Sequence, residues 1–89
     1  MIRMFVRHSV ENFATWKQAY DEFDIERRGM GVQGHVVFQS TSDSNEVTAW
    51  HDFGDLKTAQ SFAAAERLRE VMAAAGVVGE PTIWFTTRA

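Results

Sequence analysis

The feature that most constrains this chain is a change of hydrophobic period close to its start. Ile2 to His8 alternate, with Ile2, Met4, Val6 and His8 on one face and Arg3, Phe5 and Arg7 on the other, which predicts a strand. From Asn12 the period becomes helical: Phe13, Trp16, Tyr20, Phe23 and Arg27 fall at i, i+3, i+7, i+10 and i+14 and make an aromatic stripe along one side. Gly29 suits the position just past that helix's end.

The same change of period recurs downstream. Gly34 to Gln39 and Glu46 to Phe53 are rich in β-branched and aromatic residues, and the polar run Ser40 to Asn45 between them has turn chemistry, so they predict a hairpin. Asp55 can cap a second helix in which Leu56, Ala59 and Ala63 share a face; Leu68, Val71, Met72 and Ala75 continue it in a shifted phase, which implies a kink near Ala64 to Glu66. Gly76, Gly79 and Pro81 punctuate the approach to a last strand, Thr82 to Thr87, with the proline at its first residue and the strand at an edge.

The order is βαββαβ, one α+β domain over residues 1–89 with no repeat, linker or low-complexity segment. Right-handed crossovers lead such a chain to a ferredoxin-like, four-stranded antiparallel sheet with the first and third strands central and two helices on one face. Ile2, Met4, Val6, Val47, Ala49, Phe53, Ile83 and Phe85 form the more apolar face, which we assign to the helices. The other face carries Phe5, Trp50 and Trp84, ringed by Arg3, Arg7, Thr48, Asp52 and Thr86. An aromatic centre with a polar rim is the composition an interface favours, and 89 residues form only a marginal core alone, so a homodimer is the expected partner.

Composition removes several classes. Without cysteine there is no disulfide, thiolate metal site or nucleophilic thiol. A net charge of −3, with no basic run, argues against nucleic acid. The opening Met1 to Arg7 has too short an apolar run for a signal peptide and no stretch would span a bilayer, so no membrane partner and a cytoplasmic location are expected.

Several local patterns resemble the dimeric α+β barrel superfamily, which includes antibiotic biosynthesis monooxygenase-like proteins and small polyketide cyclases. They are Val6-Arg7-His8 followed by Asn12 to Lys17, the turn Asp43 to Val47, Phe53-Gly54-Asp55-Leu56 entering the second helix, and Leu68 to Met72 leading to Ala75-Gly76-Val77 and Pro81. The resemblance implies a homodimer with a pocket in each subunit between sheet and helices. Its reactions range from cofactor-free oxygenation to cyclisation, so it supports architecture more than activity. The haem-degrading branch implies a histidine on the second helix and a tryptophan before it. Here Met72 and Phe62 stand at the matching places, which counts against haem.

Alternation points His51 into the helix-covered face, where a neutral imidazole can act as a general base or be a satisfied core residue. His8 belongs to the same face, as a second catalytic candidate or a polar strand end. In an antiparallel central pair His8 falls near Val47 and His51 near Met4, toward opposite ends of the sheet. His35 stands across from His51 in one hairpin register and on the other face in the next. Across from His51 it could share a metal or a proton with it, but no spacing supplies the third ligand that a metal site needs, and neither a metal nor a cofactor is expected. Tyr20, the sole phenol, can donate to a substrate oxygen or be a core ring with its hydroxyl at the rim. Trp16, Phe62 and Met72, with His35, are the candidate substrate-binding residues: core by spacing, yet the kind of wall that a flat, apolar or aromatic molecule requires. Arg27 and Arg28 suit a helix C-terminus with no further role.

The functional expectation is a cofactor-independent monooxygenase or cyclase acting on an aromatic or polyketide-like molecule. A non-catalytic ligand-binding or assembly module is the alternative of a different class.

Overall fold

The computed structural model describes residues 1–89 as β1 (Ile2–Val10), α1 (Phe13–Glu22), α2 (Asp24–Gly29), β2 (Gly34–Gln39), β3 (Glu46–Phe53), α3 (Leu56–Ala64), α4 (Glu66–Ala74) and β4 (Val77–Thr87). The strands form one antiparallel sheet in the order β2-β3-β1-β4, so β1 and β3 are central, as the element order with right-handed crossovers predicts. The central register sets Met4 opposite His51 and His8 opposite Val47.

Both helical segments start where a side chain can satisfy a free N–H. The Asn12 side chain accepts from Thr15 N at 3.0 Å and that of Asp55 from Thr58 N at 2.8 Å. The first segment is not one rod. It bends at Phe23 (φ −80°, ψ −2°), while Phe23 N still reaches Ala19 O and Arg27 N reaches Phe23 O. A straight helix would carry its stripe about 40° off axis by the fourteenth residue, since each residue turns about 100°. The bend accompanies the burial of both Phe23 and Arg27.

The second segment breaks where its phase slips. Ala65 is extended (φ −66°, ψ 129°) and separates α3 from α4. Ala59 and Phe62 bury the inner face of α3, whereas Leu56, expected on that face, lies exposed on its first turn. No residue of α4 is fully buried.

β4 begins at Val77, earlier than Gly79 and Pro81 suggest, so the proline lies within the strand. The β1–β4 register shifts between Arg7 and Ser9, opposite the stretch that holds Gly79 and Pro81. A bulge on an edge strand is a place where a missing N–H costs little. Gly31 is required where the chain approaches α3: at φ +102° it passes Thr58 so closely that a Cβ would lie 2.5 Å from that side chain.

Phe53, Phe62, Met4 and Val47 are the largest fully buried side chains, all between sheet and helices. On the uncovered face, Val36, Trp50, Phe5 and Trp84 form one row across all four strands. Phe5 and Trp84 stack at 5.3 Å between ring centroids, and the Arg3 guanidinium lies 3.6 Å above the Trp50 ring. Arg3 also makes a two-bond pair with Asp52, at 2.8 and 3.0 Å, which holds the charged edge of that row in place.

Candidate active site

A cavity of about 50 Å³ lies between the sheet and the helices. Met4, Val6 and His8 from β1, Ala49 and His51 from β3, and Ile83 from β4 form its floor. Trp16, Tyr20, Phe23 and Arg27 make one wall; Phe62 and the α4 residues Leu68, Val71 and Met72 make the other. The lining is overwhelmingly apolar, so the few polar groups in it decide its chemistry.

His51 is buried, and its Nδ1 has no hydrogen-bond partner. Burial first, then the positive charge of Arg27, hold its pKa down to about 3, so the ring is neutral. Its Nε2 lies 3.4 Å from the Tyr20 hydroxyl, a long contact. Tyr20 OH makes a shorter bond, 2.7 Å, to Nδ1 of His35. His35 stands directly across from His51 in the β2–β3 register, the two rings stacked 5.8 Å apart, and its Nε2 reaches Asp24 Oδ1 at 2.9 Å. Burial pushes the Tyr20 hydroxyl up to about 12, which keeps it a phenol.

Arg27 enters from α2. It is 2 % exposed, and its guanidinium carbon sits 3.8 Å from the centre of the Tyr20 ring. One amino group donates to Tyr20 O at 2.8 Å and the other reaches Asp24 Oδ1 only at 3.4 Å. A buried cation whose carboxylate partner is distant and partly solvated remains available to an anion in the cavity.

The fold matches solved structures along almost its full length. An antibiotic biosynthesis monooxygenase candidate from Bordetella bronchiseptica superposes with a TM-score of 0.81 at 13% identity, covering 99% of this chain and 96% of that one. SnoaB, a cofactor-independent oxygenase from Streptomyces nogalater, superposes at 0.75 and 14% identity, covering 99% and 93%. A further monooxygenase candidate, from Nitrosomonas europaea, gives 0.73 at 16% identity, covering 99% and 98%. The chain has the antibiotic biosynthesis monooxygenase-like fold. No family model and no curated protein matches the sequence.

Within this monooxygenase-like fold the expected residues divide into two groups. His51, His8, Tyr20, Trp16, Phe62 and Met72 all border the one cavity. His35 stands behind Tyr20 and is connected to the cavity through it. His8 packs edge-on against Trp16, with burial lowering its pKa and Glu46 opposing that; like His51 it has an unpartnered Nδ1. No group of three or more His, Asp or Glu side chains is placed to hold a metal ion, and no helix is long and apolar enough to cross a membrane.

Two participants need correction or addition. Arg27 is a buried wall of the cavity rather than a helix-end charge with no further role; Arg28 is the one that stays outside, paired with Asp24 at 2.9 Å. The signal was available, because an arginine at the fifth position of an apolar stripe is directed inward by the helical period. Asp24 had no sequence signal, since only the bend at Phe23 brings it to His35.

Proposed function

We propose that this chain is a homodimeric enzyme of the cofactor-independent monooxygenase or cyclase type. It removes a proton from a small aromatic or polyketide-like molecule held between sheet and helices. The observation that carries the reading is the pairing, in one apolar cavity, of a neutral histidine with a free ring nitrogen and a buried arginine. His51 Nδ1 takes the proton, and Arg27 stabilises the enolate or phenolate oxygen left behind. The anion then reacts with dioxygen or with a carbonyl of the same molecule.

An imidazole with a pKa near 3 is a weak base in the empty site. An anionic substrate oxygen beside Arg27 offsets the charge that opposes His51 protonation, so basicity rises as the reaction proceeds. Substrate entry requires the cavity to enlarge, because 50 Å³ is far below the ~300 Å³ at which ligand pockets begin. α4 is the element to move, since it buries no residue fully and is joined to α3 through extended Ala65. The aromatic row on the open face supports the dimer.

Deuterium wash-in at the enolisable carbon of a panel of 1,3-diketones and acidic phenolic ketones, followed by NMR, tests the proton abstraction. His51→Ala is expected to lower the enzyme-catalysed rate by about 10²–10⁴-fold with the fold intact. Undiminished exchange in that variant would remove His51 as the base. The small cavity favours the other reading, a non-catalytic module, and a native mass spectrum showing dimers that never carry a small molecule would support it.

A further inference from the structure

Two of the histidines and the one tyrosine fix each other's protons. Asp24 accepts from Arg28 through Oδ2 and contacts His35 Nε2 through Oδ1. Those two contacts hold its carboxyl below the usual carboxylate range, so it is ionised and can only accept. His35 Nε2 therefore carries a hydrogen. In neutral His35 the Nδ1 is then bare, and the Tyr20 hydroxyl donates to it. Tyr20 has one hydrogen, now used, so His51 Nε2 can face the phenol oxygen only as an N–H donor. Neutral His51 is left with a bare Nδ1, the very atom that is buried without a partner.

Protonating His35 reverses the chain. Its Nδ1 becomes a donor to Tyr20, the phenol hydrogen turns to His51 Nε2, and His51 takes the Nδ1–H tautomer.

We propose that Asp24, His35 and Tyr20 form a proton relay that sets the tautomer of His51 and carries the proton it abstracts out of the cavity. As substrate C–H or O–H gives its proton to His51 Nδ1, the Nε2 proton passes to the Tyr20 oxygen and the Tyr20 proton passes to His35 Nδ1. Substrate becomes an anion, Tyr20 is again a phenol, His51 is neutral with its proton on Nδ1, and the positive charge rests on His35 against the Asp24 carboxylate. No other reactant is needed. The catalytic use of the relay rests on the function proposed above; the tautomer coupling itself does not.

The arrangement answers an electrostatic problem. A lasting imidazolium at His51 would sit desolvated beside Arg27, whereas His35 meets a carboxylate and partial solvent. The charged and titratable groups facing the relay are Asp21, Asp24, Arg27 and Arg28 from the first helical pair, and Asp52 behind His51 on β3; α3 offers only the Phe62 ring. Asp24, His35 and Tyr20 act through His51, and are positioning residues.

Long-range ¹⁵N–¹H spectra of the histidine rings in the full chain test the coupling between pH 8 and 5. His51 is expected to read as Nε2–H at high pH and to change to Nδ1–H with the same midpoint as His35 protonation. In Tyr20→Phe, His35 still titrates but His51 no longer changes tautomer. In Asp24→Asn the carboxylate that fixes the hydrogen on His35 Nε2 is gone, and His51 is expected to lose its uniform Nε2–H reading at high pH. His51 found as Nδ1–H at high pH, or a tautomer change that survives Tyr20→Phe, overturns the relay. Coupling seen without any deuterium wash-in would sink the proposed function and leave the relay standing. Wash-in whose pH profile is the same in Asp24→Asn and wild type would overturn the catalytic use of the relay alone.

Discussion

Adjacent residues of β3 solve the same problem in opposite ways on the two faces of the sheet. His51, under the helices, has no ionic partner and is kept neutral by desolvation. Asp52, one residue on and also buried, faces the open side and accepts two hydrogen bonds from Arg3, which itself lies over Trp50. The covered face thus holds a ring nitrogen without a hydrogen-bond partner in an apolar site. The open face neutralises its charges in place and leaves aromatic surface bare, with Trp84 40% and Phe38 49% exposed. One strand therefore carries the proposed chemistry on its odd-numbered residues and the proposed association on its even-numbered ones, because side chains alternate.

The largest contrast between the faces should appear in stability. Phe53 is fully buried between sheet and α3, where it packs on Phe62 at 5.4 Å between ring centroids. Phe53→Ala is expected to cost about 3–5 kcal/mol in urea unfolding, lost transfer energy plus a cavity, whereas Val36→Ala on the open row should cost about 0.5 kcal/mol at dimer-dissociating dilution. Equal costs would mean that the open face is packed in the monomer as tightly as the core.

The pH dependence should sharpen the contrast by a few kcal/mol. His51 has a folded pKa near 3 against about 6.5 in the unfolded chain. Between those values the unfolded state binds more protons, so stability is fully present above about pH 6.5 and is lost as pH falls toward 3. The paired carboxylates Asp24, Glu26, Glu46 and Asp55, all held low by hydrogen bonds, add losses only from about pH 4 downward. Denaturation curves at pH 7 and 5 separate the two: wild type should weaken, His8 contributing in the same direction, and His51→Asn should remove most of the difference. A difference unchanged in His51→Asn would mean that His51 does not govern the acid window.

The parts of this contrast that were legible in sequence are those governed by period. Two-residue alternation fixes which face Met4 and His51 share and sends Trp50 to the other, and an antiparallel central pair then places His51 beside Met4. The hairpin was less legible, because a one-residue slip of β2 exchanges its faces and the polar Ser40–Asn45 segment does not specify the register; His35 opposite His51 is a structural finding. The bend at Phe23 escaped for a different reason. Phe23 N still bonds Ala19 O and Arg27 N still bonds Phe23 O, no glycine or proline marks the bend, and only the demand to bury Phe23 and Arg27 together reveals it. Gly79 and Pro81 read as the boundary of the last strand because breaker residues look alike at a strand's start and in an edge-strand bulge.

The smallest effect tests the association assigned to the open face. Trp84 lies on edge strand β4, stacked flat on Phe5, so removing its ring takes little from the folded monomer but cuts the aromatic row at one end. Aromatic anchors of an interface typically lose about 2 kcal/mol on truncation, and each 1.4 kcal/mol is tenfold in affinity. Trp84→Ala should therefore weaken dimerisation by about 30-fold in sedimentation equilibrium while leaving monomer unfolding nearly unchanged. An unaltered dimer constant would show that the row on β1, β3 and β4 is not the contact surface. The chemistry assigned to the covered face would survive that result, since every group from Asp24 to His51 comes from a single chain.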